Sequence, residues 1–272
     1  MERHAPPEAA TDVHRRRAWW LAHADCFPEA QAEAERALEL ARHTADGGRT
    51  VAALTTLGMI ACFAGRAADG VVHLEAAAGL RGADRRQQAD ARNALGQNLI
   101  DLQRFDEAEP YYREALARSR RVLGEDHPST LAFLSNLGSV FRLQGKLDQA
   151  EPYTREALAT SRRVLGEEHP DTLLSLNDLG VLREAQGRYA EAEPYFREAL
   201  EKSRRVRGEQ HPSTLVFTDN LARALQQQGR HREAIDLLAP AEPAARKAFT
   251  GANARRLGGL LTTLGRARVG QG

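Results

Sequence analysis

Three histidines recur at a regular spacing that would suit a series of metal sites. His127, His169 and His211 lie 42 residues apart, and each is followed directly by proline. Imidazole is a common metal ligand, but a site needs several ligands close together. Each of these histidines lacks a cysteine or a second histidine at ligand spacing. We therefore predict linker residues that precede helix starts, and no metal site.

Phosphate-binding and catalytic motifs are not found in the sequence. The stretch from Gly138 to Gly145 has six residues between its glycines where a phosphate loop has four, and Leu147 replaces the Ser/Thr of that loop. No H-E-x-x-H or G-x-S-x-G pattern occurs. Cys26 and Cys62 form no C-x-x-C pair, so reduced thiols are predicted. The sequence predicts neither an enzyme nor a cofactor.

An internal repeat of 42 residues determines where these residues lie. The segment Ala108-Glu109-Pro110-Tyr111 recurs at 150–153 and 192–195, and Arg113-Glu114-Ala115-Leu116 recurs at 155–158 and 197–200. Fainter copies extend in both directions. Six units result, with turns near residues 26, 66, 104, 146, 188 and 230.

Each unit predicts two helices. After Pro128, the apolar residues Leu131, Leu134, Leu137 and Phe141 recur at helical spacing and predict a helix A. A second apolar stripe follows the turn at 144–146 and predicts a helix B that ends at 166. One such hairpin would leave an apolar face in water, so the units must stack into a solenoid. The predicted organisation is a flexible N-terminal segment (1–12), a solenoid (13–250, regular over about 95–250), a capping helix (251–268) and a tail (269–272).

The repeat resembles the tetratricopeptide repeat, in the 42-residue form of kinesin light chains and many bacterial proteins. Leu137-Gly138, Gly145, Ala150, Tyr153 and Ala157 carry the resemblance, together with the linker at 164–170, which reads V-L-G-E-E-H-P. It covers about 95–250 strongly and 15–94 weakly. The resemblance implies an all-α, right-handed superhelical solenoid of about six units plus a C-terminal capping helix. Because arginine greatly outnumbers lysine, a bacterial source is predicted.

The resemblance also implies a binding groove, since helix A lines the concave surface of such solenoids. Amides at Asn136 and Asn220 match an Asn-rich part of the kinesin light chain motif and could bond to a peptide main chain. Only Arg142 and Arg223 could act as cations there, which differs from members that grip a C-terminal carboxylate with several basic residues. The groove positions are Asn93, Gln97, Ser135, Asn136, Ser139, Arg142, Asn177, Asp178, Val181, Glu184, Asp219, Asn220, Arg223 and Gln226.

Composition and charge narrow the class of partner. The chain has 38 basic and 37 acidic residues and a formal net charge of +1, which argues against nucleic acid or an anionic membrane as partner. No apolar run long enough to span a membrane and no signal-peptide core appears, so a cytoplasmic location is expected. Trp19 and Trp20 are predicted to pack structurally, with one ring buried and one half-exposed. Six basic residues and no acidic ones follow Pro243, and we interpret them as a solvated face of the last helix.

The sequence therefore predicts a scaffold or adaptor that binds a peptide or protein segment in the helix A groove. A second hypothesis is a ligand-sensing module of a bacterial signalling system, with a kinase or a nucleotide-switching ATPase as its partner.

Overall fold

The computed structural model describes residues 7–80, 85–250 and 254–271. These residues contain thirteen α-helices and no strand, arranged as six helix pairs and one final helix. The pairs are α1 (Pro7–His23) and α2 (Phe27–His43), α3 (Gly47–Phe63) and α4 (Ala67–Gly79), α5 (Arg85–Asp101) and α6 (Phe105–Leu123), α7 (Pro128–Leu143) and α8 (Leu147–Leu165), α9 (Pro170–Ala185) and α10 (Tyr189–Arg207), and α11 (Pro212–Gln227) and α12 (His231–Ala248), followed by α13 (Ala254–Gly270).

The helix bounds confirm the all-α repeat prediction. The second helix of every pair begins one residue after a predicted turn. Helix α1 begins at Pro7, inside the segment predicted to be flexible, because Ala9 and Ala10 favour helix and proline suits the first helical position. The predicted capping helix corresponds to α13, and residues 251–253 lie outside the described part of the chain. None of the described helices has the length and apolar character needed to cross a membrane.

The chain divides into two compact units, which we call unit 1 (Met1–Val122) and unit 2 (Leu123–Gly272). Helices α1 to α5 of unit 1 share a core rich in alanine, to which Leu54, Leu57 and Ile60 of α3 contribute larger side chains. Its first and third pairs turn through Asp25 and Gln103 with positive φ, where the later pairs use glycine. These substitutions explain why the repeat is fainter in the first part of the sequence.

In unit 2, small residues allow the two helices of each pair to approach closely. A Cβ on Gly180 would lie 2.6 Å from the Phe196 ring, and one on Gly138 would lie 2.8 Å from the hydroxyl of Thr154. In the third pair of unit 2, α11 and α12, the same repeat position is Ala222, which is fully buried. These contacts confirm that the repeated small residues lie at helix interfaces.

The three spaced histidines are helix caps. His127, His169 and His211 each precede a helix, and the ring Nδ1 accepts a hydrogen bond from the backbone N–H two residues later, at 3.1, 3.2 and 3.1 Å. Each ring thus satisfies one of the free N–H groups at a helix start. The prediction of linker residues is confirmed.

A buried ion pair joins successive pairs of unit 2. The Arg183 guanidinium is 3% exposed and donates to both carboxylate oxygens of Glu151 at 2.8 and 2.9 Å. The hydrogen bonds from Arg183 lower the pKa of Glu151 to about 2. At the equivalent position of the next repeat lies Leu225, which is also buried. Helix α9 is therefore held against α8 by a polar contact where α11 uses an apolar one.

Candidate functional site

Twelve of the predicted groove residues lie on one surface of unit 2, which we call the helix A face. They occupy the same four repeat positions on α7, α9 and α11, and adjacent members of this helix series contact each other. Ten are half-buried and two are buried, whereas a hydrated helix face would expose most of its polar side chains. The residues are Ser135, Asn136, Ser139 and Arg142 on α7, Asn177, Asp178, Val181 and Glu184 on α9, and Asp219, Asn220, Arg223 and Gln226 on α11.

The two buried members bond to each other. Asn177 and Asn220 are 8% and 7% exposed, and the Asn220 Nδ2 donates to the Asn177 Oδ1 at 2.6 Å. The Asn220 Oδ1 accepts from Arg223 at 3.0 Å. The Asn220 amide, which was predicted to bond to a ligand's main chain, is thus already engaged within the protein.

The charged residues of α11 are paired as well. Arg223 donates to both carboxylate oxygens of Glu184 on α9, at 2.5 and 2.8 Å. Asp219 lies 3.8 Å from the Arg223 guanidinium, and burial raises the pKa of its carboxyl group. These contacts link α9 and α11 through side chains.

Arg142 and Asp178 differ from these paired residues. Burial lowers the pKa of the Arg142 guanidinium, and no carboxylate among the described residues lies within the 4.0 Å of an ion pair with it. Burial raises the pKa of Asp178 from 3.8 to about 6, against the opposing effects of Arg142 and of the neighbouring Asn177. Both groups carry a charge that is partly removed from water without a contacting counter-charge.

Apolar side chains complete the helix A face. Leu174 lies on the first turns of α9 and is 46% exposed, and Val216 occupies the same repeat position on α11 and is half-buried. Val181 lies among the polar groups of α9. The face can therefore contact both polar and apolar groups of a bound segment.

Unit 1 has a cleft that the sequence does not predict. It has a volume of about 490 Å³ and is lined by α1, α3 and α5, including Arg15, Trp19, Trp20 and Met59. Trp19 packs structurally as predicted, with its ring centroid 4.7 Å from that of His23 and 6.0 Å from that of Phe63. Neither tryptophan is buried, however, because Trp19 is 37% and Trp20 is 76% exposed. Periodicity places both rings on α1 but does not show which neighbouring side chains are too small to cover them.

The other two predicted groove residues lie on α5 of unit 1. Asn93 is half-buried and Gln97 is exposed. Among the described residues, no group of three or more His, Cys, Asp or Glu side chains is placed to hold a metal ion. The basic residues Arg255, Arg256, Arg266 and Arg268 are exposed on α13. This placement agrees with their interpretation as a solvated face.

Comparison with known proteins places this geometry in a family. The family model described as tetratricopeptide repeat matches four overlapping segments, at residues 52–118, 87–162, 130–202 and 177–247. No curated protein sequence matches the chain.

Solved structures share the fold at low sequence identity. One is BtubC (BKLC) from P. vanneervenii, with a TM-score of 0.66 and 22% identity over 88% of this chain and 92% of that one. A putative kinesin light chain from Podosopora anserina has a TM-score of 0.61 and 24% identity over 71% and 93% of the two chains. NprR in complex with its cognate peptide NprX has a TM-score of 0.67 and 15% identity over 96% and 74%. The helix pairs, the repeat and the matched segments together show that the chain belongs to the tetratricopeptide repeat family.

Proposed function

We propose that the chain is a non-catalytic interaction module that binds an extended peptide, or an extended segment of a partner protein, on the helix A face of unit 2. In this role it would act as a scaffold or adaptor. The free thiols of Cys26 and Cys62 support a reducing, cytoplasmic location.

One observation carries this proposal: Arg142 is desolvated but makes no direct ion pair within the described chain. Taking a charge out of water is costly unless a partner compensates it. Arg223, the other cation of the face, is already bonded to Glu184. A ligand that offers a hydrogen-bond acceptor to Arg142 would offset part of the free-energy cost of burying the guanidinium charge.

The comparisons support a peptide as the ligand. NprR was solved with its cognate peptide NprX, and a Rap protein was solved with the Competence and Sporulation Factor. Both proteins resemble this chain in fold at 14–15% identity, so they support the class of ligand without identifying it.

The same structures favour the second hypothesis, a ligand-sensing module that reports peptide binding to a signalling partner. The two hypotheses differ in what binding does to the chain. A sensor would change its radius of gyration when peptide binds, as measured by small-angle X-ray scattering. A scaffold would keep the radius of the free chain.

A peptide selection tests the proposal. Random peptides displayed on phage are selected on the wild-type chain, and the affinity of the best peptide is measured by fluorescence anisotropy. We expect Arg142→Glu to weaken binding at least about tenfold, because it replaces a charge-assisted hydrogen bond with repulsion. Arg232→Glu, on the exposed surface of α12, is the matched control and should change the affinity less than about twofold. Equal effects of both changes, or a selection that yields no peptide, would contradict the proposal.

A further inference from the structure

At one level of unit 2, polar side chains occupy facing positions on neighbouring helices of the series α7, α9, α11 and α13. We call each such pair of positions a rung. Between α9 and α11 the rung consists of Asn220 and Asn177, which are joined by a hydrogen bond of 2.6 Å. Between α11 and α13 the Thr263 hydroxyl donates to the Gly259 carbonyl of its own helix, at 3.1 Å, although it lowers the pKa of the nearby Asp219 carboxyl. The rung between α9 and α11 is therefore the closed one, since its polar groups bond across the helix interface.

The equivalent rung between α7 and α9 is open. The 42-residue period places Ser135 and Asp178 where the next interface has Asn177 and Asn220. No hydrogen bond joins Ser135 to Asp178 in the described structure, and the neighbouring Asn177 of the same helix lowers the pKa of the Asp178 carboxyl group. Asp178 also departs from the repeat, because Asn136 and Asn220 occupy the same position in the flanking units.

The charged groups around the open rung come from three helices. Arg142 acts on Asp178 from α7, and Glu184 and Arg223 reach the vicinity from α9 and α11, where they bond to each other. Arg142 and Asp178 attract each other, yet their charged atoms lie beyond the 4.0 Å of an ion pair. A half-buried aspartate at a position that is otherwise asparagine costs stability, which is typical of residues kept for binding.

A neutral group with both a donor and an acceptor suits the space between these two charges. A ligand cation would be repelled by Arg142, and a ligand carboxylate would be repelled by Asp178. A peptide main chain is neutral, so neither Arg142 nor Asp178 repels it. In an extended segment, the N–H and C=O of one residue point to the same side, as they do in a sheet.

We propose that the open rung is a clamp for a ligand's main chain, in which the Asp178 carboxylate accepts from the N–H of one extended residue and Arg142 donates to the C=O of that residue. This inference rests on the proposed function, because it requires a peptide on the helix A face. It assigns main-chain recognition to Asp178 and Arg142 in place of Asn220, whose amide closes the neighbouring rung. The clamp fixes the position of the ligand backbone and leaves side-chain preference to the surrounding residues.

An amide-to-ester scan of the selected peptide tests the clamp. Each ester removes one N–H donor from the peptide main chain while it keeps the shape of the chain. At one position we expect the ester to weaken binding to the wild-type protein by roughly 10- to 100-fold, the effect of losing a hydrogen bond to a charged group. The same ester should change binding to Asp178→Ala less than about threefold. The matched control is Asp148→Ala, an exposed aspartate on α8 outside the helix A face: it should keep the full effect of the ester.

Several results would overturn the clamp while leaving the proposed function intact. One is a scan in which no ester weakens binding, although Arg142→Glu still does. Another is an ester effect of equal size in the wild type and in Asp178→Ala. A third is a loss of affinity in Asp178→Ala that disappears when a lysine or arginine of the peptide is replaced by norleucine, because Asp178 would then bind a cation. Binding that is insensitive to Arg142→Glu would instead refute the proposed function itself.

Discussion

Replacing Asp178 by asparagine should stabilise the protein at neutral pH, although it removes a charge that attracts Arg142. The native state raises the pKa of this carboxyl from 3.8 to about 6, chiefly through burial. A difference of about two pKa units corresponds to about 3 kcal/mol of unfolding free energy, at about 1.4 kcal/mol per unit. Because a half-buried carboxylate keeps some water, we expect a gain of about 1–3 kcal/mol.

The sign of the effect depends on pH. A carboxyl whose pKa is raised in the native state favours folding while it is protonated, and this contribution is lost as the pH rises through about 6. The gain from Asp178→Asn should therefore be full at pH 7.5 and fall to less than about 1 kcal/mol at pH 4. Urea denaturation at both pH values, followed by circular dichroism, measures the difference.

The control for this experiment is Asp148→Asn, an exposed aspartate in the first turn of α8. It should change stability by only a few tenths of a kcal/mol at either pH, since exposed substitutions usually have small effects. If Asp178→Asn and Asp148→Asn behave alike at pH 7.5, Asp178 is an ordinary solvated carboxylate. The physical argument for the open rung would then fail.

Three further changes test the packing of unit 2. Gly180→Ala and Gly138→Ala should each destabilise the protein by about 1–3 kcal/mol. The new methyl group meets the Phe196 ring in the first variant and, in the second, the buried Thr154 hydroxyl that is bonded to the Ala150 carbonyl. Thermal unfolding that leaves either variant as stable as the wild type would contradict this packing. Arg183→Leu should lower the free energy of unfolding by about 1–3 kcal/mol at pH 7. The loss should shrink towards pH 3, because the pKa of Glu151 is depressed in the native state and its contribution to stability is lost as the pH falls below about 4.5. A loss that stays constant over a pH series of urea midpoints would show that the ion pair is not its cause. Removal of residues 251–272 should cause self-association in analytical ultracentrifugation, because α13 covers apolar side chains of α11 and α12. A stable monomer would contradict the capping role of α13.

The sequence predicted the fold in detail because local and repeated signals agree. The His-Pro pairs mark helix starts, the glycines mark turns, and apolar residues recur at helical spacing within each copy. In the first part of the chain, Asp25 and Gln103 replace turn glycines, yet the spacing of the other repeated residues still predicts the helix pairs there. A repeat supplies several copies of the same evidence, so a weak copy can be placed by the strong ones.

The contacts of the candidate site could be predicted only in part. Periodicity puts Asn177, Asp178 and Asn220 on one face, but it does not show that the two amides bond to each other across the interface. That pairing depends on the offset between adjacent helices, which no single helix encodes. One signal was present in the sequence: Asp178 is the acidic member of a position that is otherwise asparagine. The exposure of Trp19 and Trp20 likewise depends on the size of neighbouring side chains in unit 1.

Binding of a peptide to the helix A face of unit 2 is the central prediction, and nuclear magnetic resonance of the isotopically labelled full chain tests it most directly. Titration with the phage-selected peptide should shift amide signals along α7, α9 and α11, with the largest changes at Ser135, Arg142 and Asp178. The signals of α8, α10 and α12 should change little. Shifts confined to those helices, or to the cleft beside Trp19 and Trp20, would place the binding site elsewhere and contradict the claim.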